Sequence, residues 1–316
     1  MSTVVVTGAS GYIGGQIALQ LKDAGHEVIG IDLRPCPAYL SGLFLRFVTN
    51  DFASKYALDH IQRSNPDAVI HCAGTSLVGP SLTDPQTYYR NNIVNTLSLL
   101  DKLKVMPNTR LIFSSSAATY GNPIITPIVE NDPTEPLSPY GQSKLMIDWM
   151  LNSYARAYDL DFVSFRYFNA CGADSRARHG QHSGATHIIA RVLESLRDDR
   201  EFVLYGNDYD TPDGSCIRDY IHVEDLAAAH ICALDRSIAT GIYNLGTGIG
   251  ASNMDVINAA QEITGKALVM KIGPRREGDP AILTANAEKF NQVSGWSPEY
   301  NLNHMITHAY QWYSNQ

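Results

Sequence analysis

The sequence predicts an α/β fold: a doubly wound parallel sheet with helices on both faces, followed by a smaller C-terminal domain. Three observations carry this. Short apolar, β-branched runs alternate with helical periodicity up to about residue 169. A glycine-rich turn joins the first run to the first helical segment. Gly8, Asp32, Ala73 and Ser116 all fall at the C-terminal ends of such runs, where open α/β sheets bind their ligands.

In chain order, Thr3-Val4-Val5-Val6-Thr7 reads as a buried strand. Gly8, Gly11 and Gly14 follow in a Gly-x-x-Gly-x-x-Gly turn, and a helical pattern starts at Gly15. Glycines there let the backbone approach a pyrophosphate, whose charge a helix N-terminus favours; an ordinary glycine turn is the alternative. Glu27 to Asp32 is the second strand. A carboxylate at its end accepts hydrogen bonds from an adenosine ribose and repels a 2′-phosphate, which points to NAD. Arg34 keeps NADP open. Residues 33–50 are irregular, with a short strand at 44–48. A helix over 54–64, a strand from Asp67 into His71-Cys72-Ala73-Gly74, one long helix over 85–103, and a strand at 111–113 ending in Ser114-Ser115-Ser116 continue the alternation.

Ser138 and Pro139 suit the N-cap and first position of a helix running to Tyr158. Tyr140 and Lys144, four residues apart, share one face of it. A free tyrosine titrates near 10 (about that value in peptides), and a nearby ammonium favours its phenolate. The pair can therefore make a base, with Ser116 relaying a proton through its hydroxyl. Read alone, the spacing is commoner on a solvated helix face. A strand over 162–168 ends at Asn169.

Beyond Asn169 the pattern changes: a loop at 170–185, a helix at 186–197, strands at 201–205 and 217–222, a helix at 224–235, a strand at 241–246 that returns to the main sheet, a helix at 254–264 and a charged loop at 274–279. Arg218 and Arg276 can clamp phosphate oxygens bidentately, or simply solvate a surface. His187 lies near no His/Asp/Glu cluster, so no metal is expected.

The 316 residues suffice for one large unit or two domains, and 44% hydrophobic against 18% charged residues excludes disorder. A net charge of −8 argues against nucleic acid or an anionic membrane as the main partner. Five scattered cysteines without a Cys-x-x-Cys pair suggest neither a disulfide framework nor a zinc site. With no signal-like N-terminus and no run of about 18 apolar residues, a cytoplasmic protein is expected.

Seven motifs occur in order: Thr7-Gly8-x-x-Gly11-Tyr12-Ile13-Gly14, His71-x-Ala73-Gly74, Ser114-Ser115-Ser116, Tyr140-x-x-x-Lys144, Arg166-Tyr167-Phe168-Asn169, Arg218-Asp219-Tyr220-Ile221-His222-Val223 and Arg275-Arg276-Glu277-Gly278-Asp279. Through them the chain resembles the extended short-chain dehydrogenases/reductases, most closely the UDP-glucose 4-epimerase family, over nearly its whole length. The first four motifs mark the superfamily; the last three, with Tyr243-Asn244-Leu245-Gly246, are specific to nucleotide-sugar 4-epimerases.

The resemblance implies a Rossmann-like NAD-binding domain (1–169 plus about 219–247) and a UDP-sugar-binding domain (about 170–218 and 248–316). It implies 4-epimerisation of a UDP-hexose through a 4-keto sugar, with tightly held NAD taking and returning the C4 hydride. Tyr140 would be the base, Ser116 its relay, and Lys144 would lower the tyrosine pKa. Cofactor contacts would come from Gly8, Gly11, Tyr12, Ile13, Gly14, Asp32, Asp51, Phe52, Ala73, Gly74, Asn91, Ser114 and Phe168, besides Tyr140 and Lys144. Ser116, Asn169, His187, Tyr205, Arg218, Arg276, Asp279 and Leu283 would meet the UDP-sugar. A homodimer through the 85–104 and 140–158 helices is expected.

Three departures from the family pattern stand out. Ser76 replaces a lysine that helps to hold NAD, the 33–50 segment is short, and Leu283 is intermediate in size where bulk excludes N-acetyl sugars. UDP-N-acetylhexosamine or UDP-uronic acid epimerases are the alternatives. Dehydratases and decarboxylases of this fold need an acid where this chain has Ala117-Ala118-Thr119. A simple dehydrogenase or a non-catalytic NAD sensor leaves the C-terminal motifs or the Ser116, Tyr140 and Lys144 set without a purpose.

Overall fold

The computed structural model describes residues 1–315 apart from Ser183, Ala185, Glu277 and Gly278. The N-terminal half alternates as read: β1 (Thr3–Thr7), α1 (Tyr12–Asp23), β2 (Glu27–Asp32), β3 (Arg46–Thr49), α2 (Lys55–Ser64), β4 (Ala68–His71), the short α3 (Val78–Ser81) and α4 (Pro85–Tyr88), α5 (Asn95–Leu103), β5 (Arg110–Ser116), α6 (Pro139–Tyr158) and β6 (Phe162–Tyr167). After β7 (Asn169–Cys171) come α7 (Ile188–Arg197), β8 (Phe202–Tyr205), β9 (Ile217–His222), α8 (Val223–Cys232), β10 (Gly241–Leu245), β11 (Gly250–Ser252), α9 (Asn253–Thr264), β12 (Met270–Gly273), β13 (Ile282–Leu283), α10 (Glu288–Ser294) and α11 (Leu302–Ser314).

Seven parallel strands form one sheet in the order β10-β6-β5-β4-β1-β2-β3. The strands read as unbroken apolar runs because both faces are covered. On one face Ile17 and Leu21 of α1 and Leu226 of α8 pack against Val4, Val6 and Ile70. On the other, Leu58, Leu99, Leu103, Ile147 and Leu151 of α2, α5 and α6 pack against Val5, Val69 and Phe113. As expected, β10 rejoins this sheet beside β6. The chain winds one way through β2 and β3 and the other way from β4, so the crevice between β1 and β4 is the switch point where such sheets bind ligands.

A second layer covers the C-terminal strand ends. Here β9 lies outside the main sheet and pairs with β7, β11 and β13, while β8 pairs with β12. A third core packs α7, α9 and α11 through Leu193, Ile257 and Ile306. The buried Asp219 carboxylate fastens this layer, accepting from the Thr247 hydroxyl and from the backbone N–H groups of Thr247, Gly248 and Ala285 at 2.7 to 3.0 Å.

One element departs from the sequence expectation. The single helix over 85–103 is interrupted: Tyr89 to Val94 forms a π turn between α4 and α5. Its cause is tertiary. The buried Asn92 amide accepts the Thr75 N–H at 2.8 Å and donates to the Thr75 carbonyl at 3.0 Å and to Ser143 Oγ at 2.9 Å. The charged 274–279 loop bears out its expectation at Pro274 to Arg276 and Asp279, while Glu277 and Gly278 lie outside the described residues. Among the described residues no helix is long and apolar enough to cross a membrane.

Candidate active site

The glycine turn is built for close approach. Gly8 has φ +73°, and a Cβ there would stand 2.8 Å from Ala73 N, across the switch-point crevice. At Gly14 a Cβ would lie 2.3 Å from the Gly8 carbonyl oxygen. Side chains at either position would collapse the cradle at the start of α1, so the turn fits a pyrophosphate against a helix N-terminus. Asp32, at the end of β2, accepts the N–H groups of Ser10 and Arg34, each at 2.9 Å. The Arg34 Nε stands 3.6 Å from the same carboxylate.

A cavity of about 1180 Å³ opens here, and every expected cofactor residue lines it: Gly8, Gly11, Tyr12, Ile13, Gly14, Asp32, Asp51, Phe52, Ala73, Gly74, Asn91, Ser114, Phe168, Tyr140 and Lys144. The glycine cradle, a ribose-height carboxylate and the buried Phe52 suit a dinucleotide such as NAD.

Ser116, Tyr140 and Lys144 line the same cavity. Ser138 caps α6 by accepting the Gly141 N–H at 3.2 Å, with Pro139 behind it, which fixes where the helix starts and so where Tyr140 points. Lys144 is 6% exposed, and its ammonium donates to the Ser114 carbonyl at 2.7 Å. It stands 5.9 Å from the Tyr140 ring centre and 4.7 Å from that of Phe113. One turn further along α6, Asp148 is fully buried and pairs with Arg166 at 3.0 Å.

The expected lowering of the Tyr140 pKa is not what the structure shows. Burial pushes the phenol above its ordinary value, hydrogen bonding to Ser116 draws it partly back, and Tyr88 adds to the rise. The ammonium is itself destabilised: burial pulls the Lys144 pKa down to about 8 against the opposing pull of Cys72 and Asp148. Desolvation is the largest cause of both shifts.

The substrate residues divide between two adjoining cavities. Asn169, His187, Arg218 and Asp279 line both the first and a second of about 980 Å³; Leu283 lines only the first, Tyr205 and Arg276 only the second. Arg218 donates to Asp279 at 2.7 Å and to the Ile217 carbonyl at 2.8 Å, so its guanidinium is set before any ligand arrives. Arg276 lies 4.4 Å over the Tyr205 ring. His187 is the N-cap of α7. The exposed Ser76 lies on the rim common to both cavities.

Several residues of this site went unread. Asn92 ties the turn after β4 to the helix of Tyr140, and its signal was an Asn-Asn pair inside a helical pattern. Asp148 follows Lys144 at helical spacing, and Arg191 follows His187 in the same way. Trp312, on α11 and outside every motif, lines the second cavity.

Comparisons agree with this geometry. The family described as the NAD dependent epimerase/dehydratase family matches residues 4–246. The UDP-glucose 4-epimerase of Halalkalibacterium halodurans is 44% identical, the match covering 98% of this chain and 95% of that protein. The crystal structure of UDP-glucose 4-epimerase from Brucella ovis in complex with NAD superposes with a TM-score of 0.94 at 38% identity, covering 98% of each chain. That from Bifidobacterium longum in complex with NAD+ and UDP gives 0.92 at 34% identity over 99% of this chain and 98% of that one. The chain therefore belongs to the NAD dependent epimerase/dehydratase family.

Proposed function

We propose that this protein is an NAD-dependent UDP-hexose 4-epimerase that interconverts UDP-galactose and UDP-glucose through a 4-keto sugar. One observation carries the reading. Ser116, Tyr140 and Lys144 stand in a cavity with a dinucleotide cradle at one end and an arginine-lined second cavity adjoining it. Bound NAD supplies a reversible hydride acceptor for the sugar C4. The glycine turn would hold its pyrophosphate, Asp32 its adenosine ribose, and Asp51 and Phe52 its adenine. Ala73, Gly74, Asn91, Ser114 and Phe168 would complete that wall.

Tyr140, in its phenolate form, takes the proton of the sugar 4-hydroxyl, directly or through Ser116, and returns it at the end of the cycle. Lys144 spends one of its three donors on Ser114 and keeps two for a nicotinamide ribose. Asn169, His187, Arg218, Arg276 and Asp279 anchor the UDP, with Tyr205 at the uracil. The keto sugar then turns over while its handle stays fixed. Leu283, in the cavity wall, is where a 2-acetamido group would meet the protein, so UDP-N-acetylglucosamine is the second substrate to assay.

The test is incubation with UDP-galactose and no added NAD. Appearance of UDP-glucose without net NADH supports the reading. Failure to convert it, with and without NAD, overturns it.

Two further parts belong to the proposal. Residues 1–169 with about 219–247 hold NAD, and about 170–218 with 248–316 hold the UDP-sugar. Two copies associate through the 85–104 segment and α6, which leave Val94, Leu97, Met146 and Trp149 exposed; a monomeric mass in solution would refute this. The five cysteines, all free thiols, suit a cytoplasmic setting.

A further inference from the structure

We propose that Arg191 is a specificity-determining residue of the nucleotide pocket that reads the carbonyl edge of the pyrimidine base; this rests on the UDP-sugar reading above. Arg191 sits one turn after His187 on α7, and both line the second cavity. Its guanidinium lies 5.1 Å from the Phe202 ring centre and 5.8 Å from that of Tyr205. Arg276 lies 4.4 Å from the same tyrosine ring, so the aromatic wall of β8 carries two cations.

The three arginines of this cavity are not equivalent. Arg218 is already committed to Asp279 and the Ile217 carbonyl. Arg191, among the described residues, has neither a carboxylate within ion-pair distance nor a side-chain hydrogen bond. It is nevertheless only partly exposed. A guanidinium carries five donors and no acceptor. Held against aromatic rings it keeps its plane fixed and its edge free, which suits a flat partner offering acceptors.

A UDP-sugar offers two kinds of acceptor, phosphate oxygens and base carbonyls. The phosphates have Arg218 and the N–H groups at the start of α7, which no side chain caps among the described residues. The base, which needs a flat wall, has Phe202 and Tyr205, and Arg191 is the cation set against both. Uracil presents a carbonyl at C4, where cytosine presents an amino group. A donor there accepts the first and is left facing another donor by the second.

The experiment is calorimetric titration of the NAD-loaded protein with UDP and with CDP, in wild type, Arg191→Met and Arg191→Lys. Thermal melting and bound-NAD absorbance check that each variant is folded. The expected result is a wild type that prefers UDP, and a Met variant whose UDP affinity falls about tenfold, the equivalent of one charge-assisted hydrogen bond. CDP affinity should change less than twofold, so the preference collapses. Should the Met variant fail to fold, the Lys variant decides: it keeps the charge without the planar fork and should lose at least half of the preference. An equal fall for both nucleotides would assign Arg191 to the phosphates and overturn the proposal, as would no fall for UDP. Wild-type protein that binds no UDP would instead bring down the UDP-sugar reading itself.

Discussion

Replacing Lys144 with methionine should make the protein inactive and, at neutral pH, more stable. Lys144 is 6% exposed. Burial takes its pKa from the ordinary 10.5 to about 8. A drop of that size corresponds to about 3 kcal/mol against the charged form in the folded state. Losing the bond to the Ser114 carbonyl removes about 1 kcal/mol of stabilisation. Methionine fills similar space without charge, so the net gain is about 2 kcal/mol below pH 8. The sign follows from proton binding. The unfolded chain holds this proton up to about 10.5 and the folded chain only to about 8, so wild-type stability rises with pH between those values. The variant lacks that rise, and the two must converge as pH climbs from 7 to 10. Urea denaturation of nucleotide-free protein at both pH values measures the gap; bound nucleotide would add its own stabilisation. A methionine variant less stable than wild type at pH 7, or a gap that does not close by pH 10, would refute the reasoning.

Tyr140→Phe should lower the epimerisation rate about a thousandfold, the scale of general acid–base catalysis, while melting temperature and UDP binding stay near wild type; full turnover in this variant would end its assignment as the base. Ser76→Lys adds an ammonium at the rim of both cavities, and NAD should then leave about tenfold more slowly, followed as nucleotide lost on dialysis. Leu283→Tyr should depress conversion of UDP-N-acetylglucosamine at least tenfold more than that of UDP-galactose, since added bulk in a packed wall meets the acetamido group first; equal losses would place Leu283 away from that substituent.

The main sheet was legible because parallel strands buried on both faces are written as plain apolar runs, and Val4-Val5-Val6 and Leu111-Ile112-Phe113 have no competing reading. The π turn was not. Residues 85–103 keep a helical pattern throughout, and what breaks the helix is the Asn92 amide gripping Thr75 and Ser143, residues 17 and 51 positions away. The strands β11, β12 and β13 are two to four residues long, and β12 is largely exposed, so neither alternation nor an apolar run marks them. With α11 the case is different. Met305, Ile306, Ala309, Trp312 and Tyr313 bury one face at helical spacing, a helix signal that the sequence does carry.

For the site, residue identities were legible and protonation states were not. Helical spacing alone brings Tyr140 and Lys144 onto one face, and an ammonium so placed argues for a lowered phenol pKa. What spacing cannot carry is the surroundings. Phe113 under the ammonium, Tyr88 edge-on to the Tyr140 ring at 6.5 Å, and the Asp148–Arg166 pair behind come from four separate elements and together form a poorly solvated pocket. In such a pocket the penalty on each charged form grows along with the attraction between charges, and the ammonium has turned to the Ser114 carbonyl rather than to the phenol. Desolvation therefore raises the tyrosine and lowers the lysine, the reverse of the outcome spacing suggests. A motif names the groups that will exchange a proton; which of them holds it is decided by residues the motif does not contain.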